Sequence, residues 1–163
     1  MKSKFFKRLV LGLVFIGLLL IPSMSFGAAT CVVSEDNFGS FRVITLSWLA
    51  HTDGAVASGT CDETTSAILG NVSGVLVGVK FEPSAGNPPT AAYDVVLNTA
   101  GGADVLFGSG ANQTDDDSVT TMWQSPLNAD SKSPTLYQEN LDLVVGAAGS
   151  GNEGKVILVI MRY

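Results

Sequence analysis

Apolar and polar residues alternate along most of this chain with a period of two. In FRVITLSWLA, Ile44, Leu46 and Trp48 alternate with Thr45 and Ser47. In SGVLVGVKFEP, Val75, Val77, Val79 and Phe81 fall on one side, with Lys80 and Glu82 on the other. AAYDVVLNTA sets Tyr93, Val95 and Leu97 against Asp94 and Asn98, and ENLDLVVGA lines up Leu141, Leu143 and Val145. Such alternation predicts half-buried strands, whose side chains point to opposite faces in turn. The last segment, GKVILVIMRY, is apolar at every position from Val156 to Met161. A strand of that kind belongs in the middle of a sheet or beneath a partner.

Gly, Pro, Asn and Asp punctuate the runs in HTDGAVASG, EPSAGNPPT, NTAGGAD, SGANQTDDD, NADSKSP and AAGSGNEG. These residues supply the backbone conformations that turns require. No segment carries a helical stripe. The expected fold is therefore all-β, a single antiparallel β-sandwich of jelly-roll-like or immunoglobulin-like type with about seven or eight strands.

The N-terminus follows different rules. MKSKFFKR is basic, LVLGLVFIGLLLI is apolar, and Pro22 precedes the small residues of SFGAA. This is the pattern of a secretory signal peptide, and the apolar run falls short of the roughly 20 residues that span a bilayer as a helix. Residues 1–29 read as that leader and 30–163 as one β-sandwich domain, with an uncleaved anchor as the rival reading. Cys31 follows Ala28-Ala29-Thr30, which does not resemble a lipoprotein box. The expected location is periplasmic, extracellular or at the cell surface, with no membrane span once the leader is removed.

Removal of the leader takes Lys2, Lys4, Lys7 and Arg8 with it. Five basic residues then face fifteen acids, a formal charge of −10. Arg42, Lys80, Lys132, Lys155 and Arg162 are scattered. Nucleic acid and anionic membrane are poor partners for such a chain, because both require clustered cations. Cys31 and Cys61 are the two cysteines, and an oxidising destination predicts a disulfide between them, with two free buried thiols as the rival reading. With one histidine, His51, they are too few for a tetrahedral zinc shell without acidic ligands.

The stretch GGADVLFGSG, Gly101 to Gly110, superficially matches a calcium-binding nonapeptide turn. That architecture holds each ion between successive repeats, and no second copy follows. The expected structure is a hairpin in which YDVVLN and ADVLFG pair across the turn TAGG. In TDDDS, Asp115 and Asp117 are the pair that could share one cation or other ligand, although a solvated acidic loop is the commoner outcome. No cofactor is implied.

Catalytic signatures are absent, with neither a GxSxG elbow nor an HExxH helix in the chain. His51 and Asp53, two apart at a strand end, are expected to diverge, and no serine is marked as their nucleophile. Fifteen acids offer many carboxylate pairs that only folding would bring together, so spacing singles out no glycosidase-like pair. Trp48 reads as core, whereas Trp123 and Tyr137 lie outside any clear stripe and suit glycan stacking or a protein interface. Asn71-Val72-Ser73 and Asn112-Gln113-Thr114 match the glycosylation sequon, which matters only in a host that glycosylates exported proteins.

Four segments together resemble a group of small β-sandwich proteins encoded among the virion genes of tailed bacteriophages and prophages. They are ITLSWLAHTDGAVASGT, GNVSGVLVGVKFEP, PPTAAYDVVLNTAGGADVLFGSGAN and LDLVVGAAGSGNEGKVILVI. The order YDVVL, GADVL, GAN and the AGSGNEGKV turn carry the resemblance most specifically. It implies a virion surface or tail-associated subunit that binds other virion proteins, with no catalytic residues to carry over; self-assembly is the separate expectation raised by the last strand, apolar on both faces. The leader and the two cysteines depart from that pattern. An exported relative of the same fold, serving as a structural subunit at a cell surface, accommodates both; a secreted glycan-binding module is the alternative.

Overall fold

A computed structural model describes residues 27–115 and 132–163. Nearly all of the expected leader, together with Asp117 and Trp123, lies outside the described residues. Seven strands run in order: β1 (Thr30–Phe38), β2 (Phe41–Leu49), β3 (Val72–Pro83), β4 (Asp94–Thr99), β5 (Thr135–Glu139), β6 (Leu141–Gly146) and β7 (Glu153–Met161). One 3-10 turn, Ala67–Leu69, accompanies these seven strands among the described residues. Among the described residues, no helix is long and apolar enough to cross a membrane.

All strand pairings among the described residues are antiparallel, and the fold is an all-β sandwich. The larger sheet has the order β1-β2-β7-β3-β5, while β4 and β6 form a second, two-stranded layer. Loop segments widen the small layer through isolated bridges, Val56 with Val145 on one side and Asn98 with Asp104 on the other. Ile44, Leu46 and Trp48 of β2, Val156, Leu158 and Ile160 of β7, and Val95, Leu97, Leu143 and Val145 of the small layer are all buried in one core. Trp48 and Tyr93 meet across the layers with ring centroids 5.8 Å apart. Burial pushes the Tyr93 phenol up to about 12, so it stays neutral in that core.

The fully apolar β7 lies at the centre of the larger sheet, hydrogen-bonded to β2 and β3. β3 departs from simple alternation. Val75 pairs with Met161 and Leu76 with Ile160, but Gly78 pairs with Val159, leaving Val77 as an extra residue. This bulge reverses the parity of the strand. Val72 and Leu76 face inward before it, and Val79 and Phe81 after it. Val75 and Val77 are therefore not on the inner face with Val79 and Phe81, as unbroken alternation predicts. Val75 points outward beside Met161 instead.

Two strands lack a clear period-two signal. β1 is the polar edge TCVVSEDNF, joined to β2 by a two-residue turn in which Gly39 has φ +59°. β5 is the short opposite edge, TLYQE, paired with β3 across a second irregularity near Ser73. The expected hairpin is half realised. The chain does reverse after β4, with the Gly102 amide donating to Thr99 O at 2.8 Å and Val105 N to Leu97 O at 2.8 Å. Beyond Asp104, however, ADVLFG winds through turns and forms no return strand.

Cys31 and Cys61 form the disulfide, with Cα atoms 5.4 Å apart. Cys31 sits on edge strand β1, and Cys61 is fully buried in the loop whose carbonyl accepts the Leu143 amide of β6. The bond thus staples one edge of the large sheet to the small layer. For a separation of 30 residues it contributes about 3 kcal/mol by restricting the unfolded chain. Cys31→Ser/Cys61→Ser is expected to lose about that much in denaturant unfolding while keeping a β-type circular dichroism spectrum. An unchanged midpoint would contradict this role.

Candidate functional site

Those sequence-predicted residues that the structure describes do not converge on one place. Trp48 and Tyr93 are core. Tyr137 is 77% exposed on β5, and Asp115 is exposed at the end of the first described stretch. No hydrogen bond or ring contact joins those two. Asp117 and Trp123 lie outside the described residues.

The Gly101–Gly110 segment uses its aspartate on its own backbone. Asp104 accepts the amides of Leu106 and Gly108, each at 2.9 Å, and of Leu97 at 3.3 Å. A short carboxylate that caps successive amides fixes a compact loop. No group of three His, Cys, Asp or Glu side chains among the described residues is arranged to hold a metal ion.

His51 and Asp53 do meet, contrary to the expected divergence, with Nδ1 and Oδ1 3.3 Å apart. The tight AHTDG turn folds them together: Gly54 N donates to His51 O, and Ala55 N to Asp53 Oδ1. Both side chains are exposed. Thr52 Oγ1 contacts the same Nδ1, and no serine hydroxyl among the described residues hydrogen-bonds the ring. The pair stabilises a turn and lacks the nucleophile a triad requires.

A continuous surface emerges on the outer face of the larger sheet. The register aligns Phe38 with Phe41, Phe41 with Met161, and Met161 with Val75, a row that crosses four strands. The next row brings Val43 beside Val159, and the one after it Ile157 beside Lys80. Farther along the strands, Val32, Ser47, Lys155 and Glu82 form a mixed row. Large apolar residues stand in water on this face: Val32 is 67% exposed, Phe38 64%, Phe41 42% and Met161 39%. Alternation from buried Leu136 adds Tyr137 at the β5 edge. Sequence periodicity missed this surface because the bulge at Val77 is what turns Val75 outward, and because Phe38 belongs to a strand without a clear pattern.

The charged end of the face borders a cleft of about 400 Å³ lined by Ser47, Trp48, Glu82 and Lys155. Gly154 lets the Trp48 ring pack against β7, since a Cβ there would lie 2.5 Å from the ring. Lys80 and Glu82 pair at 2.5 Å beside it.

At the apolar end, a polar clamp holds the three strands that present Phe38, Phe41 and Met161. Glu35 of β1 receives Arg42 of β2 at 2.9 Å and Arg162, just past β7, at 3.2 Å. Arg42 also donates to Ile68 O at 2.7 Å, and Arg162 to Asn37 Oδ1. Burial raises the Glu35 carboxyl, but hydrogen bonds from Asn37 and Arg42 and the charges of both arginines outweigh it, holding the group below its ordinary range. No significant match was found among protein-family models, curated proteins or solved structures.

Because the folded-state pKa of Glu35 is depressed, its charge contributes stability above the unfolded carboxylate range, and that stability is lost as pH falls through the folded value. Glu35→Gln should lower the melting temperature at pH 7, with the gap from wild type closing as pH drops below about 4. A gap that is constant between pH 3 and 7 would contradict the clamp.

Proposed function

We propose that residues 30–163 form an exported structural subunit that acts through protein–protein contacts and not through catalysis, a role similar to that of the virion surface or tail subunits the sequence resembles. The observation that carries this reading is the outer face of the larger sheet. An apolar surface of this extent costs free energy in water and is characteristic of contact sites. At about 25 cal/mol per Å², covering a few hundred Å² of it is favourable by several kcal/mol before association costs. The leader and the Cys31–Cys61 bond support an oxidising, exported setting, where disulfides persist.

A glycan-binding module is the second reading. It is favoured by Tyr137, an aromatic ring free to stack on a sugar.

Native sedimentation of the exported fraction distinguishes the two readings. The structural role predicts the protein in complexes larger than a single chain, together with a silent glycan array in the presence and absence of calcium. A single chain free in solution that binds glycans would overturn it in favour of the second reading.

A further inference from the structure

We propose that the outer face of the larger sheet packs against the same face of a second copy of this chain, sheet on sheet, about a two-fold axis. The inference rests on the structural-subunit reading and adds the partner and the surface.

Area is the first support. Five strands spaced by about 4.8 Å, with central strands of nine residues rising about 3.3 Å each, give a plane of roughly 24 by 30 Å, or about 700 Å². Stable protein pairs bury about 800 Å² per partner. The whole face is therefore of the size one specific contact consumes. Stacked sheets also pack at about 10 Å through interdigitating apolar side chains, as the inner face of this sheet already does.

Charge is the second support. Two copies carrying −10 each repel one another over most of their surfaces. The outer face is the exception. It carries Lys80 and Lys155 against Asp36, Glu82 and Glu153, a net charge of −1. Lys155, Asp36 and Glu153 make no ion pair among the described residues, so each copy offers the other one cation and two acids across a two-fold contact.

Pairing of β1 edges is the competing way to join two copies. It would extend the sheet but leave Phe41 and Met161 in water, so it does not answer the feature that calls for a partner.

The test uses the full chain expressed with its own leader and purified, followed by size exclusion with light scattering across micromolar to millimolar concentrations. The expected results are a wild-type dimer, and Phe41→Glu dissociating at least about 100-fold more readily while keeping a β-type circular dichroism spectrum, since each substitution enters the contact twice. Phe107→Asn, at an exposed aromatic outside this sheet, should remain dimeric. Should Phe41→Glu fail to fold, Lys155→Glu is the second variant: it takes the face to −3 and should weaken the dimer about 10-fold, less so at high salt.

A wild-type dimer that Phe41→Glu or Lys155→Glu leaves intact overturns this interface, with β1 edge pairing next in line, while the structural-subunit reading stands. A purified monomer from an exported fraction that does contain complexes means that another protein covers the face, which overturns the second-copy partner alone. A single chain in both experiments overturns the partner and the broader reading together. An assembly of more than two copies overturns the closed two-fold pair.

Discussion

A strand that is apolar on both sides has to be covered on both sides, and β7 imposes that requirement on the rest of the molecule. Its inward residues, Val156, Leu158 and Ile160, are fully buried against the small layer. Its outward residues, half-buried Ile157 and Val159 and exposed Met161, have no second layer above them among the described residues. The neighbours of β7 extend the same imbalance, with Val43 on one side and Val75 on the other. The fold thus solves half of a packing problem internally. The unsolved half is the surface on which the functional proposal rests.

The small layer is stable because loops and a covalent bond complete it. Two six-residue strands make a marginal sheet alone. Here the segment through Val56 and Cys61 borders β6, and the loop capped by Asp104 borders β4, so the layer becomes wide enough to cover the large sheet. The disulfide fastens the polar edge β1, which buries little apolar surface of its own, to that layer. At the other end of β1, Glu35 joins Arg42 and Arg162 and keeps the Phe38, Phe41 and Met161 row in register. Staple and clamp hold the two ends of one edge strand, and the exposed row depends on both.

Much of this architecture is legible in the alternation of residues. The inward faces of β2, β4 and β6 and the central place of β7 follow from period-two patterning, because each is a regular strand with one or both faces buried. β1 and β5 escape notice because edge strands are selected partly to be polar, short or irregular. β3 misleads for a different reason. A bulge changes which residues share a face without changing composition, and no local signal in VLVGVKF distinguishes Val77 as the extra residue. The meeting of His51 with Asp53 and the capping role of Asp104 are equally invisible to spacing, since both arise from turns whose backbone angles the strand period does not encode. The pairing of Cys31 with Cys61 was readable because the chain offers no other cysteine.

The account comes down to whether the outward side chains of β7 are shielded when the protein is at working concentration. Methyl NMR with a soluble paramagnetic probe measures this directly on Ile157, Val159 and Met161, with exposed Ala103, in a turn outside this sheet, and core Leu158 as references. The account predicts that relaxation enhancement at the three outward positions falls toward that of Leu158 as concentration rises. Enhancement that remains at its dilute value throughout would contradict it.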